Sequence, residues 1–128
     1  MSKQVIHTAK APAAVGPYSQ AVQAPSGKMV FLSGQIGLVP ASGEMISEKF
    51  EDQVNQAFSN MQAVIEAAGG KLEHIVKLNL FLTDLGQFGI VNALMAERLP
   101  QPYPARSTVG VSSLPKGAQF EIEAIIVV

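Results

Sequence analysis

The chain has no cysteine and no tryptophan, only two histidines, and charged side chains at just 15% of its 128 residues. Without cysteine there is no disulfide, no thiolate metal ligand and no thiol nucleophile. His7 and His74 stand far apart, and neither has a second histidine at the i+4 spacing of a helical metal site. A metal centre is therefore not expected. No apolar run approaches the roughly 20 residues of a membrane-spanning helix. The opening "MSKQVIHTAKAPAAVG" lacks the continuous apolar stretch of a secretory signal. The expectation is a soluble, cytoplasmic protein with no membrane partner. Net charge is −1 and the lysines and arginines do not cluster, which argues against a nucleic-acid partner. Nucleotide-binding glycine patterns and the GxSxG turn of serine hydrolases are also missing.

What the chain has instead is apolar surface. Hydrophobic residues make up 48% of it. A chain of this length fits one domain, residues 1–128, burying roughly two thirds of its unfolded surface. So little charge implies either a large core or apolar surface covered by other subunits. The second is favoured, because a small monomer needs charged surface to stay in solution.

The elements follow from periodicity and punctuation. Short strands are expected over 4–8, 18–24 and 29–36, the last two joined as a hairpin across Pro25-Ser26-Gly27. Ser47 reads as the N-cap of a helix whose apolar positions Phe50, Val54, Ala57, Phe58, Met61, Val64, Ile65 and Ala68 keep helical spacing. Gly69-Gly70 stops it. "HIVKLNLFLTD" alternates, with Val76, Leu78, Leu80 and Leu82 on one face. A second helix over about 85–98 would place Leu85, Phe88, Val91, Met95 and Leu99 on one side, and "PQPYP" ends it. Strands over 106–113 and 119–128, joined by "LPKG", read as an antiparallel hairpin. Both faces of the last strand carry apolar residues, so both are expected to be covered. The order β-β-β-α-β-α-β-β gives an α+β two-layer sandwich with two helices on one face of the sheet.

Candidate chemistry centres on Arg106. It is either a planar fork for a carboxylate or a structural partner of Glu121 or Glu123. Whether it shares their face or that of Phe120 depends on the register of the hairpin, which turn length leaves open. Glu121 and Glu123 point the same way along a strand. Two such carboxylates raise one another's pKa, which suits proton transfer near neutral pH, although a polar stripe on an exposed strand looks the same. Tyr18 is a site wall or a core residue with a wet tip. Gly34, after Ser33 within a strand, marks either close approach by a ligand or a β-bulge.

Four stretches together, "GPYSQAV", "FLSGQIG", "VNA" and "PARSTVGVSSLPKGAQFEIEAI", resemble the RidA/YjgF family of enamine/imine deaminases. The resemblance runs from about residue 12 to the C-terminus. It implies a chorismate-mutase-like α+β fold, a homotrimer, and a site in each cleft between subunits. It implies hydrolysis of 2-aminoacrylate- or 2-aminocrotonate-type enamines and imines to 2-oxo acids and ammonia, with no metal or other cofactor. Carried over by position, Arg106 holds the substrate carboxylate and Glu121 handles water and protons. Tyr18, Ser33, Gly34, Asn92 and Thr108 line the site. Thr108 stands where relatives often have cysteine. Competing readings are a regulatory protein that binds a small carboxylate without turnover and an RNA-directed translation inhibitor or ribonuclease.

Overall fold

The protein is described here by a computed structural model covering residues 2–128. Six strands and two α-helices follow one another as β1 (Gln4–Ile6), β2 (Ala21–Gln23), β3 (Met29–Gln35), α1 (Phe50–Ala67), β4 (Ile75–Leu82), α2 (Phe88–Arg98), β5 (Ala105–Gly110) and β6 (Phe120–Val127). The element order is the one that periodicity predicts. The strand pairing is not.

Neither expected hairpin forms. β2 pairs antiparallel with β1 in a separate two-stranded sheet, whereas β3 pairs with β6 in a four-stranded sheet ordered β3-β6-β4-β5. β5 runs parallel to β4, with Leu78 opposite Arg106. α2 is the crossover that makes this possible, since parallel neighbours need a long connection between them. β6 then returns antiparallel into the slot between β3 and β4. "LPKG" is no tight hairpin turn: Pro115–Gly117 forms a 3-10 turn, with Lys116 and Gly117 both at positive φ, inside a connection that passes over β4.

Alternation divides the sheet into two unlike faces. Leu78, Leu80 and Leu82 of β4 and Phe120, Ile122, Ala124 and Ile126 of β6 are buried against the helices. From α1 they meet Val54, Ala57, Phe58, Met61 and Ile65, all fully buried and lying on one face of the helix. α2 contributes Val91 and Met95. Leu85 and Phe88, expected on that apolar side, remain 51% and 36% exposed. The reason is local: Leu85–Gln87 forms a separate 3-10 turn capped by Asp84, so α2 begins only at Phe88. Ser47 is likewise not the cap of α1. The helix starts at Phe50 after Lys49, and the Ser47 hydroxyl donates to Asp52 instead.

Among the described residues the opposite face is largely uncovered, although Val127 at its end is buried near Lys3 and Pro25. Register places Met29 and Phe31 of β3, Phe81 of β4 and Val109 of β5 on the side of Glu121, Glu123 and Ile125. Met29 and Phe31 are 58% and 69% exposed.

Candidate active site

Arg106 lies on the edge strand β5, in line with the buried Leu78 and Ala124. Its side chain therefore emerges on the helix-covered face, with Phe120 and not with Glu121. Parallel pairing to β4, and no hairpin register with β6, sets this face. On that face Arg106 Nη1 donates to Asn92 Oδ1 of α2 at 2.8 Å. The rings of Tyr18 and Phe88 lie within cation–π range of its guanidinium carbon, at 4.9 and 5.5 Å. Burial lowers the Arg106 pKa, with Tyr18 acting in the opposite direction. Among the described residues no carboxylate pairs with it, which removes the ion-pair reading of Arg106.

Thr108 follows two positions along β5 and so projects to the same side. Its hydroxyl oxygen is buried and has no hydrogen-bond partner among the described residues. A buried hydroxyl left unpaired costs about 1–3 kcal/mol, so this side of β5 is short of one polar group.

The loop that carries Tyr18 is held from both sides. The Tyr18 hydroxyl accepts from Val15 N at 3.3 Å, and Tyr18 N donates to Gly16 O at 2.8 Å. Gly16 packs so closely that a Cβ there would touch Asn92 Nδ2 and the Tyr18 ring, each at 3.4 Å. Ser19 ties this loop to the chain entering β5: its hydroxyl donates to Tyr103 O at 2.6 Å and its N–H to Pro104 O at 2.9 Å. The Gln20 amide donates to Thr8 O and Pro12 O at 3.1 and 2.6 Å and accepts from Thr8 N at 2.7 Å, fixing the preceding loop. Sequence reasoning missed Ser19, Gln20 and Phe88. The first two were visible as polar residues inside "GPYSQ". Phe88 was assigned to the core on helical spacing, and the flanking Gly86 and Gly89 were the signal that its surroundings are open.

The remaining predicted residues form a second group. Ser33 and Gly34 occupy a bulge in β3, where pairing to β6 slips between Leu32 and Gln35. The β-bulge reading of Gly34 holds, and the group that approaches it closely is Glu121, with whose Oε2 a Cβ there would collide. Glu121 and Gly34 line an open cavity of about 280 Å³ with Gln35, Ile36, Leu38, Pro115 and Lys116. Burial, and then Glu123, raise the Glu121 pKa. Glu123 itself accepts from Asn79 Nδ2 at 3.3 Å.

Within one chain the two groups cannot act on one small molecule. Arg106 aligns with Leu78 and Glu121 with Phe81, and β6 and β5 are separated by β4. Three residues along the strands and two strand spacings across them put their Cα atoms about 14 Å apart. Their side chains leave opposite faces as well. The predicted residues thus fall into two groups, Tyr18, Asn92, Arg106 and Thr108 on the helix side and Ser33, Gly34 and Glu121 at the bulge. Among the described residues no group of three His, Cys, Asp or Glu side chains converges on a metal-sized space.

Comparison with known proteins gives this arrangement a context. A family model described as Endoribonuclease L-PSP matches residues 8–128. The chain is 48% identical to a 2-iminobutanoate/2-iminopropanoate deaminase of Dermatophagoides farinae, covering 98% of this chain and 97% of that protein. It is 40% identical to the human protein of the same name, covering 98% and 90%. Among solved structures, RidA from an Antarctic Psychrobacter is 49% identical, with a TM-score of 0.77 and coverage of 98% and 99%. E. coli TdcF, crystallised with bound serine, is 39% identical with a TM-score of 0.73, covering 98% of each chain.

Proposed function

The chain belongs to the RidA/YjgF family, and from that membership we propose that it hydrolyses 2-aminoacrylate- and 2-aminocrotonate-type enamines and imines to 2-oxo acids and ammonia. The observation that carries this reading is the state of Arg106: a half-buried guanidinium with one donor fixed on Asn92, two rings against it and no carboxylate partner among the described residues. Such a group binds a planar anion with little reorganisation. The orphaned Thr108 hydroxyl supplies one further hydrogen bond to the bound acid.

The chemistry then needs water on the imine carbon and a proton path. The Arg106 fork holds the carboxylate next to that carbon and so fixes its orientation. Glu121 accepts a proton from water as its oxygen bonds to the carbon and passes it to the nitrogen, which takes up the C=N π pair; it then relays the proton of the resulting hydroxyl to the nitrogen as the carbon–nitrogen bond breaks and the carbonyl forms. One water is consumed, and one ammonia and one 2-oxo acid leave. Its raised pKa suits this double duty better than that of an ordinary glutamate. That TdcF binds serine is consistent with a family pocket that accepts a carboxylate next to a nitrogen-bearing carbon.

Because the two groups lie on opposite faces of one subunit, the working site joins Arg106 of one subunit to Glu121 of another. Covering the apolar open face with other copies brings this about, in a chorismate-mutase-like homotrimer with a site in each cleft. That assembly also accounts for the low charge of the chain.

The test couples a pyridoxal-phosphate-dependent serine or threonine dehydratase to the protein and follows 2-oxo acid release. Arg106→Ala is expected to lower kcat/KM by at least about 10²-fold with the fold retained. An unchanged rate removes Arg106 from the site. Binding of a 2-oxo acid without acceleration of any imine would leave the regulatory reading in its place.

A further inference from the structure

We propose that the chain carries a second small-molecule site, built around Lys3, and that it takes an α-amino acid with an apolar side chain. A cavity of about 240 Å³ opens where the end of β6, the start of β4 and the approach to β5 meet the residues before β1. It shares no lining residue with the Arg106 group or with the cavity at Glu121. The space is well above the ~30 Å³ of one water. It is below the roughly 300–1,000 Å³ of sites for drug-sized ligands, so a small metabolite is what fits.

Lys3 is only 8% exposed, and its side chain lines this cavity. Its Nζ donates to the Glu73 backbone carbonyl at 2.9 Å. The ammonium has three donors, and among the described residues the other two have no acceptor. Burial lowers the Lys3 pKa, and the Glu73 carboxylate acts in the opposite direction. A buried ammonium is costly until an anion pairs with it, and a bound carboxylate supplies both the charge and the missing acceptors. His74 adds to the same wall. Its Nδ1 accepts from Lys71 N at 2.9 Å, so the neutral ring carries its proton on Nε2.

Glu73 lines the cavity too, and its carboxylate makes no ion pair with Lys3. One cation and one anion therefore border the same small space without neutralising each other. That is the complement of a zwitterion, with its carboxylate on Lys3 and its ammonium on Glu73. The rest of the wall is apolar, from Pro25, Val76, Pro102 and Val127. Val76 stands where the pairing of β4 with β6 slips between Ile75 and Lys77, and such bulges re-aim side chains. An aliphatic side chain packs against this wall, whereas a third charge would be desolvated there.

Titration calorimetry with L-leucine tests the site. One L-leucine per chain should bind saturably. Two analogues each lack one charge: 4-methylpentanoate has no ammonium and 3-methylbutylamine no carboxylate. Each should bind at least about 10-fold more weakly, as should L-aspartate. Lys3→Met keeps the apolar stem of the side chain, and Glu73→Gln keeps the backbone carbonyl that anchors Lys3. Each should weaken L-leucine by a similar factor, and Glu73→Gln does so without disturbing that anchor. Arg106→Ala should leave L-leucine binding unchanged, which separates this site from the deaminase site proposed above. Absence of saturable binding, native affinity in either the Lys3 or the Glu73 variant, or loss of binding in Arg106→Ala overturns the proposal.

Discussion

Gly34 leaves out a side chain so that Glu121 can occupy the space, and the carboxylate is partly withdrawn from water there. Burial and Glu123 raise its pKa, which has a consequence for stability. At pH well below 4.5 the carboxyl is protonated in the folded and unfolded chains alike, and it costs nothing. As pH rises, the unfolded chain releases the proton first. Folding loses stability until the folded pKa is passed, and the loss is then complete. Glu121→Gln carries no such loss. It should therefore melt at a higher temperature than the native protein at pH 7, with the difference vanishing in acid, while activity falls by about 10² to 10⁴. Calorimetry across that range checks it, and a native protein more stable than the variant at pH 7 would contradict the cause assigned to the shift. The residue types of the site were legible in the sequence, because a lone arginine, a glutamate pair and a strand glycine carry a recognisable chemistry. Their grouping was not, since it depends on which face each residue leaves.

At the scale of elements, periodicity located both helices and the strands of the four-stranded sheet, because core burial imposes its spacing directly on the sequence. Pairing left no such trace. A nine-residue path from Val111 to Gln119 looks alike whether it closes a hairpin or passes over a neighbouring strand. Parallel pairing of β4 and β5 is what turns Arg106 towards α2. The approach to β5 is set by Ser19, whose hydroxyl bonds the Tyr103 carbonyl at 2.6 Å while the adjacent Tyr18 ring faces Arg106. Ser19→Ala removes one part-buried hydrogen bond and should cost about 0.5–1.5 kcal/mol of stability. Because the loosened joint lies between the ring and the guanidinium, KM should rise several-fold with kcat changed much less, and Ser19→Thr should recover most of the loss. A variant with native KM would show that the joint is structural only.

At the scale of the whole molecule, the apolar composition and the doubly apolar last strand pointed to covered surface, and the sheet does leave Met29, Phe31, Phe81 and Val109 on an open face. Composition alone does not connect this face with the separation of Arg106 from Glu121; the family resemblance does, by implying sites between subunits. If a neighbour completes each site, subunits defective in different halves should complement one another. Arg106→Ala and Glu121→Gln subunits, each nearly inactive alone, are unfolded together in equal amounts and refolded as mixed assemblies. A cleft is intact when its anion-binding half comes from the glutamine variant and its acid/base half from the alanine variant. With random assortment that occurs in about one cleft in four, so activity should return to about a quarter of the native level. A site built within one chain would stay defective in every subunit, and the mixture would be no more active than its parts.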